Sequence, residues 1–314
     1  MSAPNSTAAT ASPKSFLEVD DLSIAELGSV LELAHRVKAE PALLADALAG
    51  KQVAVIFEKH STRTRVSLEV GINSMGGAPI ILPASQTQLG RGEPVADTAR
   101  VLERYVDAII ARVNSHEQLA EMASVARIPV MNALSDLAHP MQALADIQTL
   151  QEREAKSVAY VGDGNNVATS LMIASAMTGL DFRIASPPGF EVPEDALERA
   201  KSYASESGGS VAQMSDPFEA AAGVDAIYTD VWVSMGDEAS LQLKRGALEA
   251  YRVSGELMSA ASPSAIALHC LPAHRGEEID AEVIDGPSSA VFDQAENRLH
   301  AQKALIAALL GGAK

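Results

Sequence analysis

The stretch at residues 53–65 reads VAVIFEKHSTRTR, an apolar run followed by a polar segment rich in hydroxyls and arginine. Its first five residues form an unbroken apolar run, which is typical of a parallel strand buried on both faces. Leu68, Ile72 and Met75 follow at spacings of four and three and predict a helix over 66–75. The polar segment STRTR therefore lies where a strand turns into a helix. Free backbone N–H groups and the helix dipole favour an anion at such a position.

The side chains of STRTR favour a phosphate as that anion. Ser61, Thr62 and Thr64 offer neutral hydroxyl donors. Arg63 and Arg65 each offer a planar fork of N–H groups that matches two phosphate oxygens. The alternative is a helix N-cap with solvated arginines. That alternative would be preferred if the segment contained only a single Ser or Thr. Three hydroxyls and two arginines within five residues favour a phosphate-binding segment instead.

Short apolar runs continue along the chain and alternate with helical stretches. We predict strands in two series, at 53–57, 79–82, 108–111 and 129–131, and then at 157–161, 182–185, 211–214, 226–229, 265–269 and 290–292. Alternating strands and helices indicate βαβ units and parallel sheets. The fold class is therefore predicted as α/β, with two doubly wound parallel-sheet domains and the active site in the cleft between them.

The domain boundaries follow from the same pattern. Residues 1–14 are rich in Ser, Ala, Thr and Pro and predict a disordered tail. A capping box from Ser23 to Glu26 opens a helix that runs toward Lys38. We place one domain at 15–147, a second at 148–292, and a terminal helix within 293–314.

Composition limits the partners and the compartment. The net charge of −17 argues against nucleic acid and against an anionic membrane as partners. Cys270 is the single cysteine, which excludes an intramolecular disulfide and fits a reducing compartment. The tail has no apolar core and no arginine, so we expect neither a secretory signal nor a mitochondrial one. A cytoplasmic location is expected.

A second candidate motif is HPMQALAD at residues 139–146. Pro140 is favoured in the first turn of a helix, and His139 and Gln142, three residues apart, then share one helix face. Such a pair can donate to a carbonyl oxygen and accept from an NH2 group. A capping histidine beside a surface glutamine is the alternative.

Three further segments follow predicted strands of the second series. GDGNN at 162–166 fits a tight turn or a dinucleotide loop, although Val167 stands where the third glycine would be. DVWVSMG at 230–236 offers a carboxylate for an ammonium group and a loop that can close on an aliphatic chain.

HCLPAHRG at 269–276 raises a zinc site and a nucleophilic Cys-His pair as alternatives. Zinc is disfavoured because only one cysteine exists and because neighbouring strand residues point to opposite faces.

The motifs STRT, HPxQxLxD, SMG and HCLP, in this order, resemble those of the ornithine carbamoyltransferases. The resemblance extends over essentially the whole chain after residue 15. It implies that carbamoyl phosphate and L-ornithine give L-citrulline and phosphate by direct attack of the neutral δ-amine. It also implies no metal or organic cofactor, a homotrimer, and no nucleic-acid or membrane partner.

By the same resemblance, the first domain would bind carbamoyl phosphate, with the helix at 293–314 packing back on it, and the second domain would bind ornithine. The segment around SMG distinguishes this group from the aspartate carbamoyltransferases.

The resemblance also implies the role of each site residue. The catalytic group would be Arg112, His139, Gln142, Asp230, Cys270 and Arg298. Carbamoyl phosphate would be bound by Ser61, Thr62, Arg63, Thr64, Gln88, Arg112, His139, Gln142, Cys270, Leu271 and Arg298. Ornithine would be bound by Asn166, Asp230, Ser234 and Met235. Gln88 would reach the site of a neighbouring subunit. Without their context, Arg112, Gln88 and Arg298 fit solvated surface residues.

Three alternatives stay open at this point. The acceptor could be another amine, such as putrescine or an acylated ornithine. The turn at 162–166 could serve a nicotinamide-dependent dehydrogenase, and a protein that only binds these ligands could keep the fold. A role in arginine biosynthesis and a role in ornithine catabolism are equally compatible with the sequence.

Overall fold

A computed structural model gives the structure of residues 15–59, 61–233 and 241–311, with the backbone alone for 241–243. Ser234 and Met235, which the resemblance assigns to ornithine, lie outside the described residues, as does the predicted tail at 1–14. Within the described part, no helix is both long enough and apolar enough to cross a membrane.

In this part of the chain, nine strands and twelve α-helices alternate. The strands are β1 Gln52–Phe57, β2 Ala78–Pro83, β3 Ala108–Arg112, β4 Val130–Leu134, β5 Ser157–Val161, β6 Asp181–Ala185, β7 Ser210–Met214, β8 Ala226–Thr229 and β9 Ile266–His269. The helices are α1 Ile24–Ala39, α2 Thr62–Ser74, α3 Val95–Leu102, α4 His116–Val125, α5 Pro140–Glu152, α6 Asn166–Met177, α7 Glu194–Ser207, α8 Pro217–Ala221, α9 Leu241–Leu248, α10 Gly255–Ala260, α11 Ala281–Ile284 and α12 Val291–Leu309.

The strands form two separate sheets in which every described pairing is parallel. The first sheet has the order β2-β1-β3-β4 and the second the order β7-β6-β5-β8-β9. The prediction of two doubly wound parallel sheets is confirmed. In each sheet the strand order reverses once, between β1 and β3 and between β5 and β8. Ligands of open α/β sheets bind outside the carboxyl ends of the strands at such reversals.

The boundaries of α2 differ from the prediction in a way that matters for the site. The helix begins at Thr62 rather than Val66, and Ser61 is its N-cap. The segment STRTR is therefore the cap and first turn of the helix rather than a loop before it. The predicted capping box of α1 is confirmed, because Ser23 and Glu26 each accept from the other's backbone N–H.

The predicted strand at 290–292 is wrong. The chain forms only an isolated bridge, in which Ala267 of β9 pairs with Ser289. Val291 then starts α12, and the Phe292 side chain is 69% exposed. Three apolar residues in a row cannot distinguish a strand from the first turn of a helix.

Helix α12 returns from the edge of the second sheet to the first domain. It packs against α1, α2 and α5. Leu305 and Ile306 of α12 are almost completely buried, in a core cluster that also contains residues of both domains. Helices α5 and α12 therefore join the two sheets, and side chains near their amino-terminal ends lie close to the cleft. The domain boundaries at 147 and 293 stay predictions.

Candidate active site

A cleft of about 780 Å³ lies at the carboxyl ends of both sheets. Such a volume suits one or two small molecules. Its first-domain side is formed by Lys59, Ser61, Thr62, Arg63, Thr64, Arg112, Leu134, Ser135, Asp136 and His139, together with Arg298 of α12. Its second-domain side is formed by Asp163, Asn165, Asn166, Val167, Asp230, Val231, Val233, Lys244, Cys270, Leu271, Pro272 and His274.

The amino terminus of α2 faces this cleft. The Ser61 oxygen accepts a hydrogen bond from the Thr64 N–H at 3.3 Å, so the capping interpretation holds. Because the oxygen acts as acceptor in this bond, the Ser61 O–H can still donate to an anion. Arg63 faces the cleft, whereas Arg65 is exposed and lies 3.7 Å from Glu69 on the same helix. Only one of the two arginines in the segment therefore belongs to the cleft.

Three guanidinium groups converge on the first-domain side, from Arg63, Arg112 and Arg298. Arg298 donates to the Thr64 hydroxyl at 2.6 Å and thereby ties α12 to α2. In the described structure, the Nε atoms of all three arginines are buried and lack a hydrogen-bond partner. Burial lowers the pKa of Arg112 and of Arg298 to about 10, and repulsion from the neighbouring guanidiniums contributes. Arg112 and Arg298 therefore stay protonated at neutral pH, and with Arg63 beside them the site concentrates positive charge and unsatisfied donors.

His139 lies beside these arginines as a neutral ring. It is the N-cap residue of α5 and is 4% exposed. Burial, followed by the charges of Arg298 and Arg112, holds the pKa of the imidazole well below its usual value. At neutral pH the ring can therefore donate one hydrogen bond without adding a fourth charge.

Gln142 is buried at 1% exposure and does not itself form the cleft wall. Its amide nitrogen donates to Asp146 Oδ1 at 2.8 Å. Its amide oxygen is buried without a hydrogen-bond partner among the described residues.

Asp230 forms the acidic centre of the opposite side. It directly follows β8, is 8% exposed, and accepts from the Cys270 thiol at 2.9 Å and from Asn165 Nδ2 at 3.0 Å. The Asn165 oxygen in turn caps α6 by accepting from Val167 and Ala168. Asn165 is not among the residues predicted from the sequence, although an asparagine directly before a helix is a strong N-cap signal.

The neighbouring turn does not have the character of a dinucleotide loop. A side chain at Gly164 would come within 2.5 Å of the backbone at Glu191 and Val192, so packing within the domain requires this glycine. Asn166 lines the cleft, and its amide donates to the Ser135 carbonyl of the first domain at 2.6 Å. The segment therefore connects the two domains across the cleft.

Cys270 is a protonated thiol rather than a nucleophile. Burial of the sulfur, followed by the Asp230 carboxylate, raises the pKa of the thiol well above its usual value, although the residue as a whole is partly exposed. His269 is not its base, because Nε2 lies 3.2 Å from Glu278 and Nδ1 accepts from the Leu271 N–H at 2.8 Å.

The prediction that His269 and Cys270 point to opposite faces of a strand is wrong. Strand β9 ends at His269, so the alternation of faces does not extend to Cys270. Ligand atoms of Asp230, His269 and Cys270 lie within 4.8 Å of one another. Zinc is still disfavoured, because both ring nitrogens of His269 already have hydrogen-bond partners.

Of the two remaining predicted residues, Leu271 and Gln88, only Leu271 lines the cleft. Leu271 forms part of the cleft, with φ at 57° in the left-handed region. Gln88 is exposed and does not line the cleft of its own chain. Lys244 and Asp163 form a 2.9 Å ion pair in the cleft that no sequence pattern indicated.

Together these features define a class of protein with two α/β domains and a cleft between them that carries three arginines on one side and a carboxylate on the other. Comparisons with known proteins specify the family. Residues 14–152 match the family described as "Aspartate/ornithine carbamoyltransferase, carbamoyl-P binding domain". Residues 154–309 match the family described as "Aspartate/ornithine carbamoyltransferase, Asp/Orn binding domain".

Individual relatives agree with this match along nearly the whole chain. The ornithine carbamoyltransferase of Bacillus subtilis is 52% identical over 301 residues, which cover 95% of this chain and 94% of that protein. The one from Acidothermus cellulolyticus is 50% identical, covering 95% of this chain and 97% of that protein. The solved ornithine carbamoyltransferase from Pyrococcus furiosus superposes with a TM-score of 0.92 at 48% identity, covering 96% of this chain and 99% of that one. The chain belongs to the aspartate/ornithine carbamoyltransferase family and is a carbamoyltransferase.

The contact between Cys270 and Asp230 gives a direct prediction. Iodoacetamide should label native Cys270 much more slowly than a free cysteine at pH 8, because burial and the carboxylate disfavour the thiolate. Asp230→Asn should accelerate labelling severalfold, because it removes the carboxylate charge that disfavours the thiolate. Mass spectrometry of the single-cysteine chain gives the stoichiometry.

Asp136→Asn, which changes another carboxylate of the cleft, should leave the labelling rate near that of the wild type. Urea-unfolded protein should label fully. Labelling of the native wild type as fast as a free cysteine would contradict the assignment of a protonated thiol.

Proposed function

We propose that this chain is an ornithine carbamoyltransferase, which converts carbamoyl phosphate and L-ornithine to L-citrulline and phosphate. The observation that carries the proposal is the arrangement of three arginines, each with an unsatisfied buried Nε, across a cleft from Asp230. Relatives about 50% identical over nearly the whole chain bear this name.

The first-domain side fits carbamoyl phosphate. The amides and hydroxyls of 61–64, with Arg63, can hold the phosphate at the amino terminus of α2. Thr64, Arg112 and neutral His139 can donate to the carbonyl oxygen as it gains negative charge in the transition state. Gln142 would accept a hydrogen bond from the carbamoyl NH2, and Arg298 would position the carbamoyl group. The Leu271 carbonyl and Cys270 would contact the carbamoyl group from the second domain.

The second-domain side fits ornithine. Asp230 and Asn166, with Ser234 and Met235, would hold the free α-amino acid end. The neutral δ-amine nitrogen then forms a bond to the carbamoyl carbon, the bond from that carbon to the phosphate oxygen breaks, and the nitrogen loses one proton. The departing phosphate is a suitable acceptor for that proton. Holding both reactants in line supplies much of the rate acceleration.

We also propose self-association, with the homotrimer as the state that the family resemblance implies. Val66 and Val70, four residues apart on α2, are 53% and 48% exposed, and Ile80 on β2 is 39% exposed. Apolar side chains at helical spacing on a surface suit an interface. Gln88 would then reach the cleft of a neighbouring copy. The cytoplasm stays the proposed compartment, and a part in arginine biosynthesis fits the proposed reaction.

The acceptor can be identified by a competition assay. Purified protein should form citrulline from carbamoyl phosphate and ornithine, and putrescine and N-acetylornithine should react poorly, because Asp230 suits a free α-ammonium group. Product analysis by mass spectrometry separates the three carbamoylated amines. Preferential carbamoylation of putrescine or N-acetylornithine would refute the proposed substrate.

Arg63→Ala should severely impair the use of carbamoyl phosphate. The change removes a charged contact to phosphate, for which we expect a loss of about 3 kcal/mol or more in kcat/KM for carbamoyl phosphate. Arg65→Ala is the matched control, because Arg65 lies two residues further on the same helix but outside the cleft. Near-normal kcat/KM in Arg63→Ala would exclude this phosphate-binding role.

A subunit-mixing test decides whether the site is shared. Gln88→Ala and Arg112→Ala should each be inactive alone. If Gln88 acts in a neighbouring copy, reassembly of the two variants together creates some sites spared by both changes, and activity should rise above either parent. No gain on mixing, or a monomer by sedimentation, would remove Gln88 from the site.

A further inference from the structure

Asp146 is a fully buried carboxylate that receives three hydrogen bonds and lies outside the cleft wall. Its Oδ1 accepts from the amide nitrogens of Gln142 at 2.8 Å and Gln294 at 2.7 Å. Its Oδ2 accepts from the Tyr228 hydroxyl at 3.2 Å. The three donors come from α5, α12 and β8, so this one side chain connects elements of both domains.

The two amides on Asp146 differ at their other ends. The oxygen of Gln294 accepts from the His269 backbone N–H at 2.9 Å, so that amide is satisfied on both sides. The oxygen of Gln142 is buried and has no partner in the part of the chain that the structure describes. A buried carbonyl oxygen without a donor is unfavourable, and a ligand N–H would satisfy it.

The carboxylate determines which end of the Gln142 amide remains available. An ionised carboxylate accepts hydrogen bonds and cannot donate one, so it holds the amide nitrogen and turns the oxygen away. The reversed amide would place its oxygen against the carboxylate and present two N–H donors in place of an acceptor.

We propose that Asp146 is a positioning residue that orients the Gln142 amide to accept from the carbamoyl NH2. It thereby makes the site select carbamoyl phosphate over acyl phosphates that lack this NH2. The inference rests on the proposed function and explains how the enzyme would distinguish carbamoyl phosphate from other acyl phosphates.

To orient the Gln142 amide, Asp146 needs Oδ1 as a hydrogen-bond acceptor but does not need a full negative charge. Burial raises the pKa of Asp146 to about 7. The hydrogen bonds from Gln294, Gln142 and Tyr228 and the charge of Arg298 lower the pKa and only partly offset the effect of burial. When protonated on Oδ2, the group can donate to the Tyr228 oxygen while Oδ1 still accepts both amides. Asparagine reproduces this protonated arrangement, whereas leucine has no acceptor.

The test compares binding of carbamoyl phosphate and acetyl phosphate to the wild type, Asp146→Asn and Asp146→Leu by calorimetry. Acetyl phosphate keeps the phosphate and the carbonyl but has a methyl group in place of NH2. The wild type should prefer carbamoyl phosphate, and Asp146→Asn should keep most of that preference. Asp146→Leu should lower the ratio of the two affinities by about fivefold to tenfold, the scale of one hydrogen bond.

A purely structural role would weaken both ligands together and leave the ratio unchanged, and that result would overturn the proposal. Loss of the preference in Asp146→Asn would also overturn it, because the acceptor is still present. If Asp146→Leu does not fold, as judged by circular dichroism and thermal unfolding, Asp146→Ala replaces it. A wild type that forms no citrulline would refute the proposed function instead, so the two failures are distinguishable.

Discussion

Mutual repulsion among the guanidinium groups of Arg63, Arg112 and Arg298 is the constraint around which the site is organised. The charge of Arg63 lowers the pKa of both Arg112 and Arg298, and the charge of Arg112 lowers that of Arg298, so the positive charges repel one another. The groups stay together because they come from three well-packed elements: the first turn of α2, the end of β3 and the body of α12. An anion bound there would relieve the repulsion. Although the chain carries a net charge of −17, these three positive side chains are gathered on one side of the cleft and make that side attractive to an anion.

The protonation states on the two sides of the cleft follow from burial and from the neighbouring charges. Burial, followed by the charges of Arg298 and Arg112, lowers the pKa of His139 and keeps the ring neutral. Burial, followed by the Asp230 carboxylate, raises the pKa of Cys270 and keeps the thiol protonated. Both groups thus act as hydrogen-bond donors without net charge. The cleft is polarised from one side to the other by its arginines and by Asp230, and these two neutral groups leave that polarity unchanged.

Much of the fold could be predicted from the sequence, because short apolar runs alternating with helices leave few architectures other than parallel sheets. The strand at 290–292 was wrong because the local run contains no information on the helix that follows. Arg63 and Arg65 differ because residues two apart on a helix face opposite sides, and that difference depends on α2 starting at Thr62. Contacts such as Asn165 with Asp230, which are 65 residues apart, depend on the folded sheets and leave no local pattern.

The bond from Arg298 to Thr64 joins residues 234 positions apart, and this separation has a consequence during protein synthesis. Ribosomes add about 5–20 residues per second, so roughly 10 to 50 seconds pass between the synthesis of these two partners. A nascent chain can pair the strands of its first sheet in that interval while the surface that α12 will cover is still open to water. If Arg298 holds substrate as proposed, substrate would bind most strongly to chains in which α12 has already docked and, by mass action, would stabilise them over incomplete ones.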